Sequence, residues 1–318
     1  MRIDVIVPLY NEEENLPALR ERLGAALDKT GAEWRVIYVN DGSRDHTEEL
    51  AREQHREDPR FTLVNLSRNF GLQGALVAGL DFADGDAVVV ADGDLQDPPE
   101  LIPEMFEKWR AGAEVVIARR RTRAETGPRR WAFDAFHLVF NYLSDFPIPS
   151  QTGNFCLLDR KAARHMRALG ERNRYFPGLR AWIGFRQDFI HYDRRDREEG
   201  VPQQTFSRLL SLGMDAIFSF SYKPLRIMTA IGVLISSLGF LLAFSFVMRR
   251  LLGMEIAQTG FTTLVTLILF LGGLQLISIG ILGEYLGRIY DEVKNRPIYL
   301  VGNSCGDFSS KADARRGR

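Results

Sequence analysis

Cysteine is scarce in this sequence, and net charge is absent. Only 2 of the 318 residues are cysteine, and 41 Lys and Arg residues balance 41 Asp and Glu residues. Two cysteines provide neither a disulfide framework nor a zinc ligand set, and they fit a reducing compartment. Because a neutral chain has no overall electrostatic attraction to nucleic acid, no nucleic-acid partner is predicted.

Two common nucleotide-binding motifs are also missing. No Gly-x-Gly-x-x-Gly follows the first predicted strand, and Gly-x-x-x-x-Gly-Lys-Ser/Thr does not occur. A dinucleotide site of the usual type and a P-loop are therefore unsupported. The apolar run at the N-terminus is too short for a signal peptide and carries a charge at Asp4.

The first 118 residues alternate between short apolar runs and helical patterns. The runs are rich in Val and Ile, which is typical of buried parallel strands. They cover residues 3–7, 35–39, 61–66, 87–91 and 114–118. Helical patterns lie between them at 13–27, 47–54, 73–82 and 101–110. This alternation predicts a doubly wound α/β domain, which binds a nucleotide at the carboxyl ends of its strands.

Two carboxylates one residue apart follow the fourth strand. Asp92 and Asp94 come directly after the apolar run 86–91 and precede Pro98 and Pro99, which rigidify the chain and begin a helix. The strand would deliver both carboxylates to the ligand-binding edge of the sheet. Their oxygens suit a hard divalent cation, Mg²⁺ or Mn²⁺. On spacing alone, an acidic turn with a capping Asp explains the pair equally well.

Polar clusters follow the first three strands as well, at residues 8–13, 40–45 and 67–71. Taken singly, Asn11, Ser43 and Asp45 are more typical of helix caps. Taken together, the clusters offer acceptors for a base and a ribose and an Arg for phosphate, beside the carboxylate pair. The combination predicts a nucleotide site along this edge.

The chain becomes strongly apolar near residue 225. Residues 227–248 and 257–283 contain no charged residue, and each is long enough to cross the ~30 Å hydrocarbon core as a helix. The short connector 249–256 makes the pair a hairpin with both ends on one side. Basic residues flanking the hairpin outnumber those in the connector, which favours cytoplasmic ends. Two buried core helices of a soluble protein are the alternative.

Four motif-like segments occur in order along the chain. They are Val-Pro-Leu-Tyr-Asn-Glu-Glu-Glu-Asn (7–15), Val-Asn-Asp-Gly-Ser-Arg-Asp-His-Thr (39–47), Ser-Arg-Asn-Phe-Gly (67–71) and Asp-Gly-Asp-Leu-Gln-Asp-Pro-Pro-Glu (92–100). In this order they resemble family 2 glycosyltransferases of the GT-A fold. The branch they resemble is the polyprenyl-phosphate glycosyltransferases, which includes bactoprenol glucosyltransferases and dolichol-phosphate mannose synthases. The resemblance covers roughly residues 3–295, and the hairpin is similar to that of the bactoprenol-type members.

This resemblance implies the roles of the donor-site residues. Asp41 would contact the base, Asp94 would bind the divalent metal at the diphosphate, and Gln96 would lie beside the sugar. The nucleotide-sugar site would comprise Pro8, Tyr10, Glu12, Asp41, Arg68, Asp92 and Gly93. The catalytic set would be Asp92, Asp94, Gln96 and Asn154.

One segment departs from the family pattern. Residues 152–157 resemble the family's Thr-Gly-Asp-Phe-Arg-Leu, but Asn154 replaces the Asp and Cys156 replaces the Arg. That Asp is a proposed general base in some members, so no base is carried over here. A phosphate monoester has a second pKa near ~6, so a lipid phosphate is mostly a dianion at neutral pH and attacks without a base. Asn154 would then position it.

Arginines are concentrated before the hairpin. One group follows residue 118, and residues 192–200 match the family's Tyr-x-Arg-x-x-Arg-x-x-Gly. Because the guanidinium fork suits phosphate oxygens, these arginines are expected to bind the lipid phosphate. They are Arg120, Arg123, Arg129, Arg194 and Arg197. For any single one, a solvated surface or contact with anionic headgroups is an equal alternative.

The expected organisation is an α/β GT-A (Rossmann-like) domain, an interfacial helix and a transmembrane hairpin. The catalytic domain covers 1–205, the amphipathic juxtamembrane helix 206–222, the hairpin 223–290 and a cytoplasmic tail 291–318. The chain after Val301 is basic and predicted to be disordered. The expected location is the inner membrane, multi-pass, with the catalytic domain in the cytoplasm.

The predicted reaction is inverting, metal-dependent transfer of one sugar from a nucleotide diphosphate sugar to polyprenyl (undecaprenyl) phosphate in the bilayer. UDP-glucose is the favoured donor, with GDP-mannose as the alternative. Because family members often form homo-oligomers, a second copy of the chain is a further candidate partner. The rival functions are a membrane-anchored nucleotide-sugar sensor and a processive polysaccharide synthase, although the chain lacks the Gln-x-x-Arg-Trp motif of the latter.

Overall fold

The computed structural model describes residues 1–120, 152–172, 174–193, 223–252, 260–306 and 308. The chain divides into two compact units. The first takes Met1–Leu138, Phe146–Thr205 and Arg296–Arg318, and the second takes Val139–Asp145 and Phe206–Asn295.

The first unit is built on one mixed β-sheet. Its strands in the described residues are β1 (Arg2–Leu9), β2 (Glu33–Asn40), β3 (Phe61–Leu66), β4 (Ala87–Val90), β5 (Val115–Arg120), β6 (Thr152–Asp159), β7 (Gln187–Tyr192) and β8 (Val301–Cys305). They lie in the order β7-β5-β6-β4-β1-β2-β3-β8. Strands β4, β1, β2 and β3 are mutually parallel, whereas β6 runs antiparallel to both β4 and β5. The carboxyl ends of β1 to β4 therefore share one edge.

Helices connect these strands. They are α1 (Leu16–Asp28), α2 (Thr47–Glu57), α3 (Leu72–Phe82), α4 (Ile102–Arg110), α5 (Arg160–Ala168) and α6 (Phe176–Trp182), with a 3₁₀ turn at Pro99–Leu101 before α4. Helix α1 buries Leu16, Leu19, Leu23 and Leu27, whose three- and four-residue spacing places them on one face. Gly79 lets α3 approach β1, because a Cβ there would collide with the side chain of Ile6.

The second unit contains the two long helices α7 (Lys223–Leu251) and α8 (Phe261–Val293). The windows Leu225–Leu242 and Phe270–Val293 have mean hydropathies of 2.0 and 1.3, and both helices are long and apolar enough to cross a membrane. None of either window is buried inside the protein. The alternative of two core helices in a soluble domain is therefore wrong, since such helices would be covered.

The α/β prediction is confirmed for the first 120 residues, where all five predicted strands and all four helices are present within a few residues of their expected bounds. The pattern did not predict β6, β7 or β8. The expectation of disorder directly after Val301 is wrong, because Val301–Cys305 pairs antiparallel to β3. The predicted juxtamembrane helix 206–222 lies outside the described residues, and the domain boundaries stay predictions.

Candidate active site

The loops after β1 and β2 are interlocked by hydrogen bonds from backbone to side chain. The Asn11 amide donates to Oγ of Ser43 (3.0 Å), and Oδ1 of Asn11 accepts from the Arg44 amide (2.9 Å). Asn11 holds a positive φ of 54°, which Asn tolerates better than most residues. Asn11 and Ser43 therefore cap no helix, contrary to the single-residue expectation; each binds the backbone of the opposite loop.

Asp45 closes the same junction. Its Oδ1 accepts from the Thr47 amide at the start of α2 (3.1 Å), although the N-cap position is His46, and its Oδ2 accepts from the Glu13 amide (3.3 Å). The Glu12 amide in turn donates to Oγ1 of Thr47 (2.9 Å). Successive amides of the first loop are thus held by side chains of the second, which fixes the two loops against each other.

Asp41, directly after β2, organises the loop after β3. Its carboxylate is buried and accepts from the amides of Phe70 (2.6 Å) and Gly71 (2.8 Å). Burial raises the pKa of Asp41, and the two amides and Arg68 oppose that rise. Gly42 has a φ of +67°, and a Cβ there would lie 2.7 Å from the backbone carbon of Arg68. The second and third loops are therefore in direct backbone contact.

Other predicted donor residues border these loops. Pro8 is buried in β1, whereas Tyr10 at its end is 43% exposed. The Arg68 guanidinium stacks over the Phe70 ring at 4.1 Å and is exposed. Tyr10 and Arg68 are thus accessible to a ligand, and Glu12 lies in the junction through its backbone amide.

The carboxylate pair lies in the loop after β4. Gly93 packs against the end of β1, since a Cβ there would lie 3.0 Å from the carbonyl oxygen of Pro8. The Gln96 amide donates to Oδ1 of Asp94 (3.1 Å), and the intervening Leu95 has a φ of 57°. The structure therefore places the carboxylate loop beside the donor loops, as the sequence predicted.

One oxygen of the Asp92 carboxyl group is unpaired. This oxygen, Oδ1, is buried and has no hydrogen-bond partner among the residues that the structure describes. Burial raises the pKa of Asp92 to about 6, with Asp97 and Asp94 adding to the rise and a hydrogen bond from Asn154 opposing it. A buried acceptor without a partner is costly, so this oxygen is available for a group that a ligand or cation supplies.

The carboxylates fit a metal that shares its ligands with a substrate. Within the described ranges, no group of three or more His, Cys, Asp or Glu side chains is arranged to hold a metal ion by itself. Mg²⁺ is usually bound by one or two carboxylates together with substrate phosphates and waters. Asp94 and the unpaired Oδ1 of Asp92 match that donor set.

A charged cluster joins the carboxylate loop to strands β5 and β7. The Asp97 side chain is 1% exposed, and its Oδ1 accepts a hydrogen bond from Nη2 of Arg120 (3.2 Å). The Tyr192 hydroxyl donates to the same oxygen of Asp97, and Nε of Arg120 donates to the Tyr192 hydroxyl (3.1 Å). Arg120, expected at the lipid phosphate, is about a third exposed and lies beside the Asp92–Asp94 loop. The other four predicted arginines, Arg123, Arg129, Arg194 and Arg197, fall outside the described residues.

A buried arginine supports strand β6. Arg180 on α6 is 1% exposed, and its Nη1 donates to the Gly153 carbonyl (3.0 Å), next to Asn154. Cys156 is also buried, and burial raises the pKa of its thiol while Arg180 opposes that rise. The sequence pattern missed Asp97, Tyr192 and Arg180 as site residues. Asp97 and Tyr192 lie inside the quoted motifs, whereas no local signal points to Arg180.

Comparison with known families and proteins agrees with this arrangement. The glycosyl transferase family 2 model matches residues 4–167, which include the three donor loops and the carboxylate loop. The model of the GtrB C-terminal hairpin matches residues 223–289, which contain most of α7 and α8. The GT-A-like mixed sheet and the hairpin are therefore parts of one recognised architecture.

Similar proteins match over nearly their whole length. An uncharacterised glycosyltransferase of Synechocystis is 43% identical over 96% of both chains. A prophage-derived bactoprenol glucosyl transferase of Shigella flexneri is 40% identical over 96% of this chain and 98% of its own. A prophage bactoprenol glucosyl transferase homolog of Escherichia coli is 37% identical over 95% and 98%. The chain therefore belongs to glycosyltransferase family 2 and is a glycosyltransferase with a GtrB-type C-terminal hairpin.

Proposed function

We propose that this enzyme transfers one sugar from a nucleotide diphosphate sugar to a polyprenyl phosphate, with UDP-glucose as donor and undecaprenyl phosphate as acceptor. The observation that carries the proposal is the unpaired Oδ1 of Asp92 beside Asp94, at the edge where three preformed loops meet. The similarity to bactoprenol glucosyl transferases extends through the apolar hairpin and supports a lipid acceptor. GDP-mannose is the alternative donor.

The donor loops would bind the nucleotide. Tyr10 and Arg68 are exposed and would contact the nucleotide, with Arg68 at a phosphate, while Asp41 would contact the base and also holds the loop that carries Arg68. Pro8 and Glu12 would also hold the nucleotide. Because the loops are already hydrogen-bonded to one another, nucleotide binding requires little further ordering.

The carboxylate loop would hold the donor diphosphate through a divalent cation. Asp94, with Asp92 beside it, would ligate Mg²⁺ or Mn²⁺, and Gln96 would lie next to the sugar. When bound, the cation neutralises charge that builds on the leaving diphosphate. The chain itself keeps these side chains in place through the backbone contact of Gly93 with Pro8.

The reaction is a direct displacement at the anomeric carbon. A phosphate oxygen of the acceptor forms the new bond to that carbon as the bond to the diphosphate oxygen breaks, so the configuration inverts and the nucleoside diphosphate leaves. The acceptor is mostly a dianion at neutral pH, so no proton has to be removed, and Asn154 at the former base position only orients it. Arg120 would hold the acceptor phosphate close enough to react, with Arg123, Arg129, Arg194 and Arg197 as further proposed contacts.

The proposed location is the inner membrane, with the catalytic domain in the cytoplasm. Basic residues on both flanks of the hairpin support that orientation. Assembly into a homo-oligomer stays a prediction.

The test is transfer of radiolabelled sugar from a panel of nucleotide sugars to undecaprenyl phosphate in purified membranes, with and without a chelator. We expect a single-sugar lipid from UDP-glucose that disappears when the chelator is added. A polymeric product would instead indicate a processive synthase. The replacement of Asp by Asn154 favours a sensor as the second candidate, and measurable donor binding without product from any donor would support it.

A further inference from the structure

The chain that leaves the hairpin returns to the catalytic sheet. Strand β8 begins shortly after α8 ends, and it pairs antiparallel to β3 with Asn303 opposite Asn65 and Cys305 opposite Leu63. Before the strand, the Tyr299 hydroxyl donates to Asp81 on α3 (2.8 Å). We call Val301–Cys305 the return strand.

A chain of side-chain amides leads from the return strand into the sheet. Oδ1 of Asn303 accepts from Nδ2 of Asn65 (2.6 Å) and from Nη2 of Arg52 (2.5 Å). Oδ1 of Asn65 then accepts from Nδ2 of Asn40 (2.9 Å). Asn40 and Asn65 are 1% and 3% exposed, so each hydrogen bond they make replaces water that cannot reach them.

The chain of amides ends in the donor site. Oδ1 of Asn40 accepts from the Ser43 amide (3.1 Å), and Oγ of Ser43 accepts from the Asn11 amide of the first loop (3.0 Å). Asn40 also directly precedes Asp41. Four polar side chains in series therefore connect the return strand to both loops that would bind the nucleotide.

A second, independent contact reaches the third loop. The carbonyl of Leu300 accepts from the Ser67 amide (2.8 Å), and Ser67 opens the loop whose Phe70 and Gly71 amides bind Asp41. The third loop is thus held directly by Leu300, just before the return strand, and the first two loops are held from the return strand through Asn65 of β3 and Asn40 of β2. Backbone pairing with β3 would be enough for a strand that only covered the edge of the sheet. The side-chain hydrogen bonds through the buried asparagines are additional to that pairing.

On the basis of the donor site proposed above, we propose that the return strand positions the nucleotide loops, with Asn303 as the positioning residue. When Asn303 accepts from Asn65, the side chain of Asn65 is oriented so that its oxygen faces Asn40, and Asn40 in turn keeps its oxygen on the Ser43 amide. Without that acceptor one N–H of the buried Asn65 loses its partner, although Glu48 still accepts from the same nitrogen (3.1 Å). The donor loops then lose part of their support while the fold persists.

The test compares three variants of the full-length protein in lipid nanodiscs. Asn303→Leu removes the acceptor at similar size, Asn303→Asp keeps an acceptor oxygen facing Arg52, and Ser304→Ala changes the neighbouring residue on the opposite face of the strand. The measurements are hydrogen–deuterium exchange of residues 40–47 and the separate KM values for UDP-glucose and undecaprenyl phosphate.

We expect Asn303→Leu to speed exchange of residues 40–47 and to raise the donor KM about five- to tenfold, as expected for one lost hydrogen bond to a buried amide. The KM for undecaprenyl phosphate should not change in Asn303→Leu. Asn303→Asp and Ser304→Ala should both show the exchange rate of residues 40–47 and the donor KM of the wild type. Unchanged exchange in Asn303→Leu, or an equal loss in Ser304→Ala, would overturn the positioning role.

The exchange measurement needs no donor and so separates this inference from the proposed function. If the wild type transfers no sugar from UDP-glucose or GDP-mannose, the proposed function fails. Faster exchange of residues 40–47 in Asn303→Leu alone would still support positioning by the return strand, and unchanged exchange would refute it.

Discussion

The edge of the sheet where we propose that the substrates bind has two halves that are stabilised differently. The donor half consists of the loops after β1, β2 and β3, where side-chain oxygens accept backbone amides, as at Ser43 and Asp41. The acidic half consists of the loop 92–97 with Arg120 and Tyr192, where carboxylates lie near one another and near a guanidinium. In the donor half, these side-chain oxygens are paired with backbone amides of the same loops. In the acidic half, Oδ1 of Asp92 has no such partner among the described residues.

This difference indicates which half changes most when substrates bind. Backbone amides that are already paired leave the donor half preorganised. In the acidic half, burial and the neighbouring carboxylates Asp97 and Asp94 raise the pKa of Asp92, and its Oδ1 has no hydrogen-bond partner among the described residues. A cation and an anionic substrate bound together would complete this half. Substitutions in the acidic half should therefore affect turnover, and substitutions in the donor half should affect donor binding.

The largest effect is expected for Asp94→Ala. Loss of the carboxylate that would hold the cation should lower kcat by ~10²–10³-fold or more, since charge on the leaving group is no longer neutralised. The melting temperature should stay near that of the wild type, because Asp94 is partly exposed and the hydrogen bond that it accepts from the Gln96 amide is local. Steady-state kinetics and thermal unfolding measure the two effects, and full activity would refute the metal role.

Tyr192→Phe should have the next largest effect. It removes the hydroxyl that donates to buried Asp97 and accepts from Arg120. Loss of this charge-assisted bond should lower the free energy of unfolding by about 1.5–3 kcal/mol. Turnover should fall because the carboxylate loop and Arg120 lose a shared anchor. Combining it with Asp97→Asn should give less than the sum of the single effects; strict additivity would contradict a coupled cluster.

A moderate effect confined to donor binding is expected for Asp41→Asn. The amide keeps the size of the side chain but presents N–H groups where the Phe70 or Gly71 amide needs an acceptor. The donor KM should rise about tenfold for a lost bond to a charged group, while kcat changes little. Equal changes in kcat and in the donor KM would contradict the proposed division between the two halves.

Ser43→Ala should have the smallest effect. Oγ of Ser43 accepts the amide of Asn11, which is exposed, so water replaces the lost acceptor. A rise in the donor KM of roughly two- to threefold is expected, in line with a net contribution below about 1 kcal/mol. Isothermal titration with the nucleoside diphosphate gives the same ratio independently of turnover.

The local sequence pattern was sufficient to predict strands β1 to β5 and insufficient to predict β6, β7 and β8. Residues 87–91 are a continuous apolar run, and residues 3–7 are interrupted only by Asp4, so both strands could be predicted from the local pattern. Strand β6 lies between β4 and β5 although it follows both in sequence, and nothing local specifies such an insertion. Val301–Cys305 reads Val-Gly-Asn-Ser-Cys and has neither an apolar run nor alternation, because an edge strand is specified by its partner.

The residues of the candidate site likewise divide into those that short motifs predict and those that only tertiary packing places there. The loops and the carboxylate pair are short motifs, and the fold brings them together as expected. Arg180 supports Gly153 from a separate helix, and that contact depends on tertiary packing. The positioning roles of Asn40 and Asn65 could not be predicted either. The role of a buried asparagine in a strand depends on its hydrogen-bond partners, and local sequence does not specify those partners.

Strand β8 also matters for anyone who produces the catalytic domain as a soluble fragment. A chain cut before the hairpin would lack β8, and the outer edge of β3 would expose a row of unpaired N–H and C=O groups. Such an open edge is a template for aggregation through strand addition. A fragment that joins residue 205 to residue 296 through a flexible linker would keep this edge closed, and it should remain monodisperse where the shorter fragment precipitates.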